Sequence, residues 1–157
     1  MLTAHETLMV CSADHFFIDD VGVYGFNPAK LPEAHAACLR KFVGLCQTAA
    51  PFSKVTILRG VPGSGKSTYV KAKGDLGIIV DNTSLSVAEV APYAALALAY
   101  GLQLQVVTLH CDAEVAGLRN KHGVPVDAVK RMAERMADSD KHEFWPPWWN
   151  HTRVVGE

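Results

Sequence analysis

Apolar residues fall along this chain in two alternating patterns. Short continuous runs of strand length occur at Thr7 to Ser12 (TLMVCS), Lys54 to Leu58 (KVTIL), Gly77 to Val80 (GIIV) and Gln105 to Leu109 (QVVTL). Such runs, followed by polar residues or glycine, read as buried strands. Between them the apolar positions take helical spacing. Leu31, Ala34, Cys38, Phe42 and Leu45 mark a helix opened by Asn27 and Pro28 and closing near Thr48, because asparagine caps free amides and proline suits the first helical position. A short helix is expected from Lys66 to about Lys73, stopped by Gly74. Ser86 and Glu89 have capping-box spacing and open a helix ending at Gly101, with Pro92 expected to distort its first turns. Asp112 caps a helix to about Asn120, and His122 and Gly123 break it. Pro125 starts another, with Val129, Met132, Ala133 and Met136 on one face. Phe144 to Trp149 reads as irregular and aromatic, and Arg153 to Val155 as an added small strand.

Strand and helix alternate four times, which predicts an α/β domain with a parallel sheet between helical layers and ligands beyond the carboxyl ends of the strands. With 157 residues, 49% of them apolar and 20% charged, the chain fits one packed domain spanning 1–157. Fifteen Lys and Arg against sixteen Asp and Glu leave a formal net charge of −1. That balance argues against a long nucleic-acid track held by counterion release, and leaves a strand end or a small acceptor open. Cys11, Cys38, Cys46 and Cys111 lack C-x-x-C spacing and the histidines lack H-E-x-x-H, so buried thiols in a reducing compartment are expected rather than zinc or disulfides. No leader or membrane-length apolar stretch is visible, and the expected setting is soluble and cytoplasmic, with no membrane partner. Oligomeric state is not legible.

The sharpest chemical signal is Gly60-Val61-Pro62-Gly63-Ser64-Gly65-Lys66-Ser67-Thr68. It satisfies G-x-x-x-x-G-K-[ST] in full and lies between a predicted strand and a predicted helix, as that motif requires. Glycines let the loop wrap so that successive N–H groups and the helix start face phosphate. Lys66 would bridge the terminal phosphates of ATP or GTP, and the Ser67 hydroxyl would ligate Mg²⁺.

Further segments extend the match: SADHFF at Ser12 to Phe17 with Tyr24, Phe26 and Ala34-His35; VDNT at Val80 to Thr83 with Glu89 and Pro92-Tyr93; and LRNKHGVP with VKRM from Leu118 to Met132. On these residues the chain resembles the small P-loop kinases of the polynucleotide-kinase-like group, and the resemblance spans nearly its whole length. It implies a P-loop NTPase three-layer sandwich with ATP as donor, Mg²⁺, and a hydroxyl acceptor. That acceptor would be the 5′-hydroxyl of a polynucleotide or a small nucleotide-like molecule.

One departure is large. In the family the P-loop strand comes first and the SAD-type strand second, whereas here the SAD segment precedes the P-loop. Keeping the family's sheet order of 2-3-1-4-5 puts the Asp14 strand beside the Val80 strand and the P-loop strand on the other side of it. Both altered crossovers then stay right-handed, as nearly all such connections are. The expectation is a permuted strand order around an unchanged site.

By the same resemblance Asp14 is the general base toward the acceptor hydroxyl, Asp81 a Walker-B-like carboxylate holding a water on Mg²⁺, and Arg119 the lid arginine that contacts transferring phosphate. Each residue also has a plain structural reading: a turn aspartate, a cap for Thr83 and Ser84, and a solvated helix arginine. Lys121, Arg131 and Arg135 either extend the basic surface or form a solvated face. Phe17 stands where the phage enzyme of that family carries an arginine for acceptor phosphate, so that clamp is missing. Phe16 and Phe17 stack on an acceptor or join the core, with core favoured for at least one. His15 and His35 read as packed residues, and Trp145, Trp148 and Trp149 as a cover over the sheet's end. A small-molecule kinase and an adaptor-type nucleotide-binding module remain alternatives.

Overall fold

A computed structural model describes residues 9–155. Its centre is a five-stranded, wholly parallel sheet: β1 (Val10–Cys11), β2 (Lys54–Arg59), β3 (Ile78–Asp81), β4 (Gln103–His110) and β5 (His151–Val155), in the order β1-β3-β2-β4-β5. Helices α1 (Leu31–Thr48), α2 (Lys66–Lys73), α3 (Val87–Ala99), α4 (Ala113–Arg119) and α5 (Val126–His142) connect them. The expected strand at Thr7 to Ser12 is observed as Val10–Cys11, and Thr7 and Leu8 lie outside the described residues. The predicted terminal strand is longer than Arg153 to Val155 and pairs parallel to β4, with Val106 opposite His151 and His110 opposite Val155.

Alternation along the strands assigns the two faces. Val55, Ile57, Val80, Leu104 and Val106 join Cys38, Phe42 and Cys46 of α1 and Val90, Tyr93, Ala94 and Ala97 of α3 in one core. Leu58, Ile79, Val107 and Leu109 face the other way, onto Val70 of α2. The chain therefore forms three layers. The β1-to-β2 and β3-to-β4 connections each move two places across the sheet in one direction on the α1/α3 face. The β2-to-β3 connection moves one place in the opposite direction on the α2 face. Direction and face reverse together, so these three crossovers share one hand, as connections in parallel sheets nearly always do.

Local chemistry explains the helix boundaries. The Asn27 side chain accepts from the Ala29 amide at 3.1 Å, and the chain enters α1 through a 3₁₀ turn at Pro28–Lys30. Asp112 accepts from the amides of Glu114 and Val115 at the start of α4. Glu89 reaches back to the amides of Leu85 and Ser86. The expected distortion at Pro92 is absent, since α3 runs unbroken through it. The carbonyl deprived of a donor belongs to Ala88, which is exposed, and water can replace the missing bond. Among the described residues no helix is long and apolar enough to cross a membrane. All four cysteines are free, three of them buried.

Arg59, the charged last residue of β2, is completely buried. Its Nε donates to Ser84 O at 2.7 Å and its Nη2 to Leu85 O at 3.0 Å. Its Nη1 donates to Thr108 Oγ1 at 2.9 Å and to Asp140 Oδ1 at 2.8 Å. The Trp145 ring lies 3.9 Å from the guanidinium carbon. One side chain thus joins β2, the β3–α3 turn, β4, α5 and the C-terminal aromatic segment. Thr108 Oγ1 also sits 2.5 Å from His151 Nε2. With that hydroxyl accepting from Arg59, its own proton goes to an unprotonated imidazole nitrogen. Burial, then the nearby Arg153 and Arg59, push His151 down from 6.5 to about 4.

Two outcomes follow from this cluster. Arg59→Met leaves Asp140 without its partner and is expected to lower unfolding free energy by about 3–5 kcal/mol, measured by denaturant titration. The unfolded chain protonates His151 below 6.5 while the fold keeps it neutral down to about 4. Stability from this residue is therefore fully present above 6.5 and is lost as pH falls through that window. His151→Gln, read by thermal denaturation across the same range, should flatten the dependence.

Candidate functional site

The glycine-rich loop leaves β2 at Gly60, whose amide donates to Thr83 O at 3.0 Å. A Cβ at Gly60 would stand 2.5 Å from Ser64 Oγ, so a larger residue there would have to displace the buried Ser64 hydroxyl. Gly63 has φ +80° and packs so tightly on α4 that a Cβ would collide with Ala116 O. Gly65 has φ +100° with open space around it, and it starts α2. Val61 is buried with Ala116, Val129 and Met136 and anchors the loop on α4 and α5. Pro62 is partly buried at the loop's crest, while Ser67 and Thr68 are exposed in the first turn of α2.

Two features of this cradle suit an anion. Ser64 is wholly buried, and its hydroxyl has no hydrogen-bond partner. The Lys66 ammonium turns back over the loop, donating to Gly60 O at 2.7 Å and Val61 O at 3.2 Å. Burial lowers its pKa, and the negative charges of Asp81 and Asp14 oppose that shift. Asp81, at the end of β3 beside Leu58, is raised by burial, with Lys66 the leading opposing influence and Asp14 adding to the rise. Lys66, Asp81 and Asp14 are therefore electrostatic neighbours at the carboxyl edge of the sheet.

Asp14 occupies a 3₁₀ turn, Ala13–Phe17, that follows β1 directly. The turn is held from both sides. Ser12 Oγ accepts from the Asp14 amide at 3.2 Å, and Asn82 Oδ1 accepts from the Ala13 amide at 2.9 Å. The carboxylate itself is half exposed and receives the Tyr24 hydroxyl at 3.2 Å. Burial and the neighbouring Asp14 push the Tyr24 phenol up to about 12, which keeps it a donor. His122 Nε2 lies 3.6 Å from the other carboxylate oxygen, and its ring packs on Tyr24 at 4.6 Å.

Arg119 closes the circle from α4. Its Nε and Nη2 donate to Gly63 O at 3.2 and 3.0 Å, and Nη2 also approaches Cys111 Sγ at 3.4 Å. All the candidate residues, Asp14, Gly60 to Thr68, Asp81 and Arg119, are thus brought to one edge of the sheet. Among the described residues no three His, Cys, Asp or Glu side chains cluster as a metal centre. A divalent cation here would depend on Ser67, waters on Asp81 and ligand oxygens, a donor set that suits Mg²⁺. No family model matches the chain.

Several aromatic alternatives also resolve. Phe17 is core, packed edge-on against Phe26 and Tyr24, whereas Phe16 is 40% exposed. Trp149 belongs to the α1/α3 core and Trp145 covers Arg59, while Trp148 is exposed. His35 is exposed on α1 rather than packed. Arg135 pairs with Glu89 at 3.1 Å.

Sequence reasoning missed the roles of Tyr24, Asn82 and His122. Each lay inside a segment already singled out, but no spacing rule connects a tyrosine, an amide and a loop histidine to one aspartate across so much chain. Gly63→Ala combines a left-handed backbone with the Ala116 collision and should cost roughly 2–4 kcal/mol. Gly65→Ala meets open space and should cost only about 1–2 kcal/mol. Parallel thermal melts of the two variants check the ordering.

Proposed function

We propose that this chain is a P-loop kinase that transfers the γ-phosphate of ATP, with Mg²⁺, to the hydroxyl of an acceptor. The supporting observation is the convergence of Asp14, Lys66, Asp81 and Arg119 on the glycine-rich loop at one sheet edge, although the Asp14 strand and the loop strand are not neighbours. On this reading the amides of Gly63 to Lys66 and the start of α2 face the phosphates. The Ser64 hydroxyl, lacking a partner, supports closure of the loop around them.

Lys66 exchanges the carbonyls of Gly60 and Val61 for phosphate oxygens. Arg119 leaves Gly63 O for the transferring phosphoryl group and balances its charge in the transition state. Bound Mg²⁺ would supply charge neutralisation between the phosphates, held by Ser67 and by water on Asp81. Asp14 takes the acceptor's hydroxyl proton as that oxygen bonds to the γ-phosphorus. The bond from phosphorus to the β–γ bridging oxygen breaks, and ADP leaves. Tyr24 and His122 orient the Asp14 carboxylate, whose remaining lone pairs are free to receive the acceptor hydroxyl.

Incubation with γ-labelled ATP, Mg²⁺ and a panel of 5′-hydroxyl oligonucleotides, nucleosides and hydroxylated metabolites should yield a labelled acceptor. Asp14→Asn should cut transfer by roughly 10²–10⁴-fold while ATP affinity holds, and Lys66→Ala should remove both. Free phosphate alone would identify an NTPase or adaptor module instead, and full transfer by Asp14→Asn would exclude that residue as base.

A further inference from the structure

A cleft of about 760 Å³ opens between α1, α3 and α5. Its floor is the turn from Asn82 to Leu85. That turn also fixes the two halves of the site, since Asn82 holds the Ala13 amide and Thr83 O holds the Gly60 amide. The cleft therefore borders the turn that ties the Asp14 segment to the glycine-rich loop. Resting on the kinase reading above, we propose that it is the acceptor pocket and takes a small hydroxylated molecule with an apolar ring or chain and one anionic group, rather than a nucleic-acid strand.

Size is the first argument. The volume lies inside the roughly 300–1,000 Å³ range of small-molecule sites. Wall chemistry is the second. Leu39 of α1, Pro92 and Tyr93 of α3 and Met132 of α5 present apolar surface. Tyr93 is fixed there by its hydroxyl, which donates to Cys38 Sγ at 3.2 Å.

Charge is the third. Glu89 lines the cleft, but one oxygen receives the Leu85 and Ser86 amides and the other pairs with Arg135. Among the described residues no carboxylate pairs with Arg131, which lines the same cleft opposite His35. The wall thus carries one uncompensated guanidinium, matched to a single phosphate or carboxylate. A strand would present a ladder of phosphates, and the chain's net charge of −1 provides no matching row of cations.

Isothermal titration tests this with three probes: adenosine 3′-monophosphate, which carries a ring, a primary hydroxyl and one phosphate; adenosine; and a 5′-hydroxyl oligo(dA) 20-mer. The monophosphate should bind saturably and adenosine about tenfold more weakly. Arg131→Ala should bring the monophosphate to adenosine's level. Met132→Trp, which fills the cleft, should weaken both. The 20-mer should gain nothing over the monophosphate. Unchanged binding in Arg131→Ala, no binding of the monophosphate, or a 20-mer more than tenfold tighter with steep salt dependence would each overturn the proposal. Mg·ATP affinity, titrated separately, should be the same in wild type and Arg131→Ala. If Mg·ATP binds and the monophosphate does not, only the acceptor inference fails. If the monophosphate binds and Mg·ATP does not, the kinase reading fails and the acceptor role with it, leaving the cleft as a small-molecule binding site.

Discussion

The buried Arg59 guanidinium holds the layers of this protein in register. Removing a charge from water is costly, and the cost is offset only where every donor finds an acceptor and the counter-ion is close. Here the acceptors come from the β3–α3 turn, from β4 and from α5, with an indole packed on the cation. Apolar contacts tolerate small slides between layers, but a five-way polar junction does not. The residue that follows Arg59 is Gly60, so the start of the loop is fixed by the same junction that fixes the sheet.

From that point the site is a matter of close approach. Gly63 permits a backbone contact with Ala116 that any side chain would block, and Gly60 leaves room for the buried Ser64 hydroxyl. Asn82 and Thr83 clamp the Asp14 turn to one side and the loop to the other. Acidic and basic groups then meet in a partly buried edge, where Lys66 and Asp81 each offset the cost of the other's burial. This arrangement concentrates charge where strands end and leaves the apolar faces free for packing.

Most of the architecture was legible because period and punctuation agreed. Four strands and five helices were expected near their observed places, and the observed order sets the first strand beside the third and the second beyond it, as expected. The loop was legible because its glycine, lysine and serine spacing is a local motif, although Gly63 also answers to the distant Ala116. Less visible was anything decided by distant partners. The strand sequence KVTILR gives no sign that its final arginine turns inward, since Thr108, Asp140 and Trp145 arrive from remote parts of the chain. Pro92 misled for the opposite reason: the rule concerns a lost hydrogen bond, and the carbonyl that loses it, on Ala88, is exposed where water can replace it. The supports of Asp14 were hidden because Tyr24, Asn82 and His122 share no spacing, only a destination.

The edge position of β1 has a consequence for how the chain acquires its shape. β1 touches only β3 in the sheet, and β3 lies well downstream of it. As the polypeptide is synthesised, the Asp14 segment and α1 emerge before the strand that can receive them. The apolar side of α1, including Phe42 and Cys46, has to wait uncovered until β2 and β3 are in place. Non-local pairing of this kind slows folding and lengthens the exposure of sticky surface. The strand order that places Asp14 beside the loop thus makes the acid-bearing turn dependent on late steps of assembly.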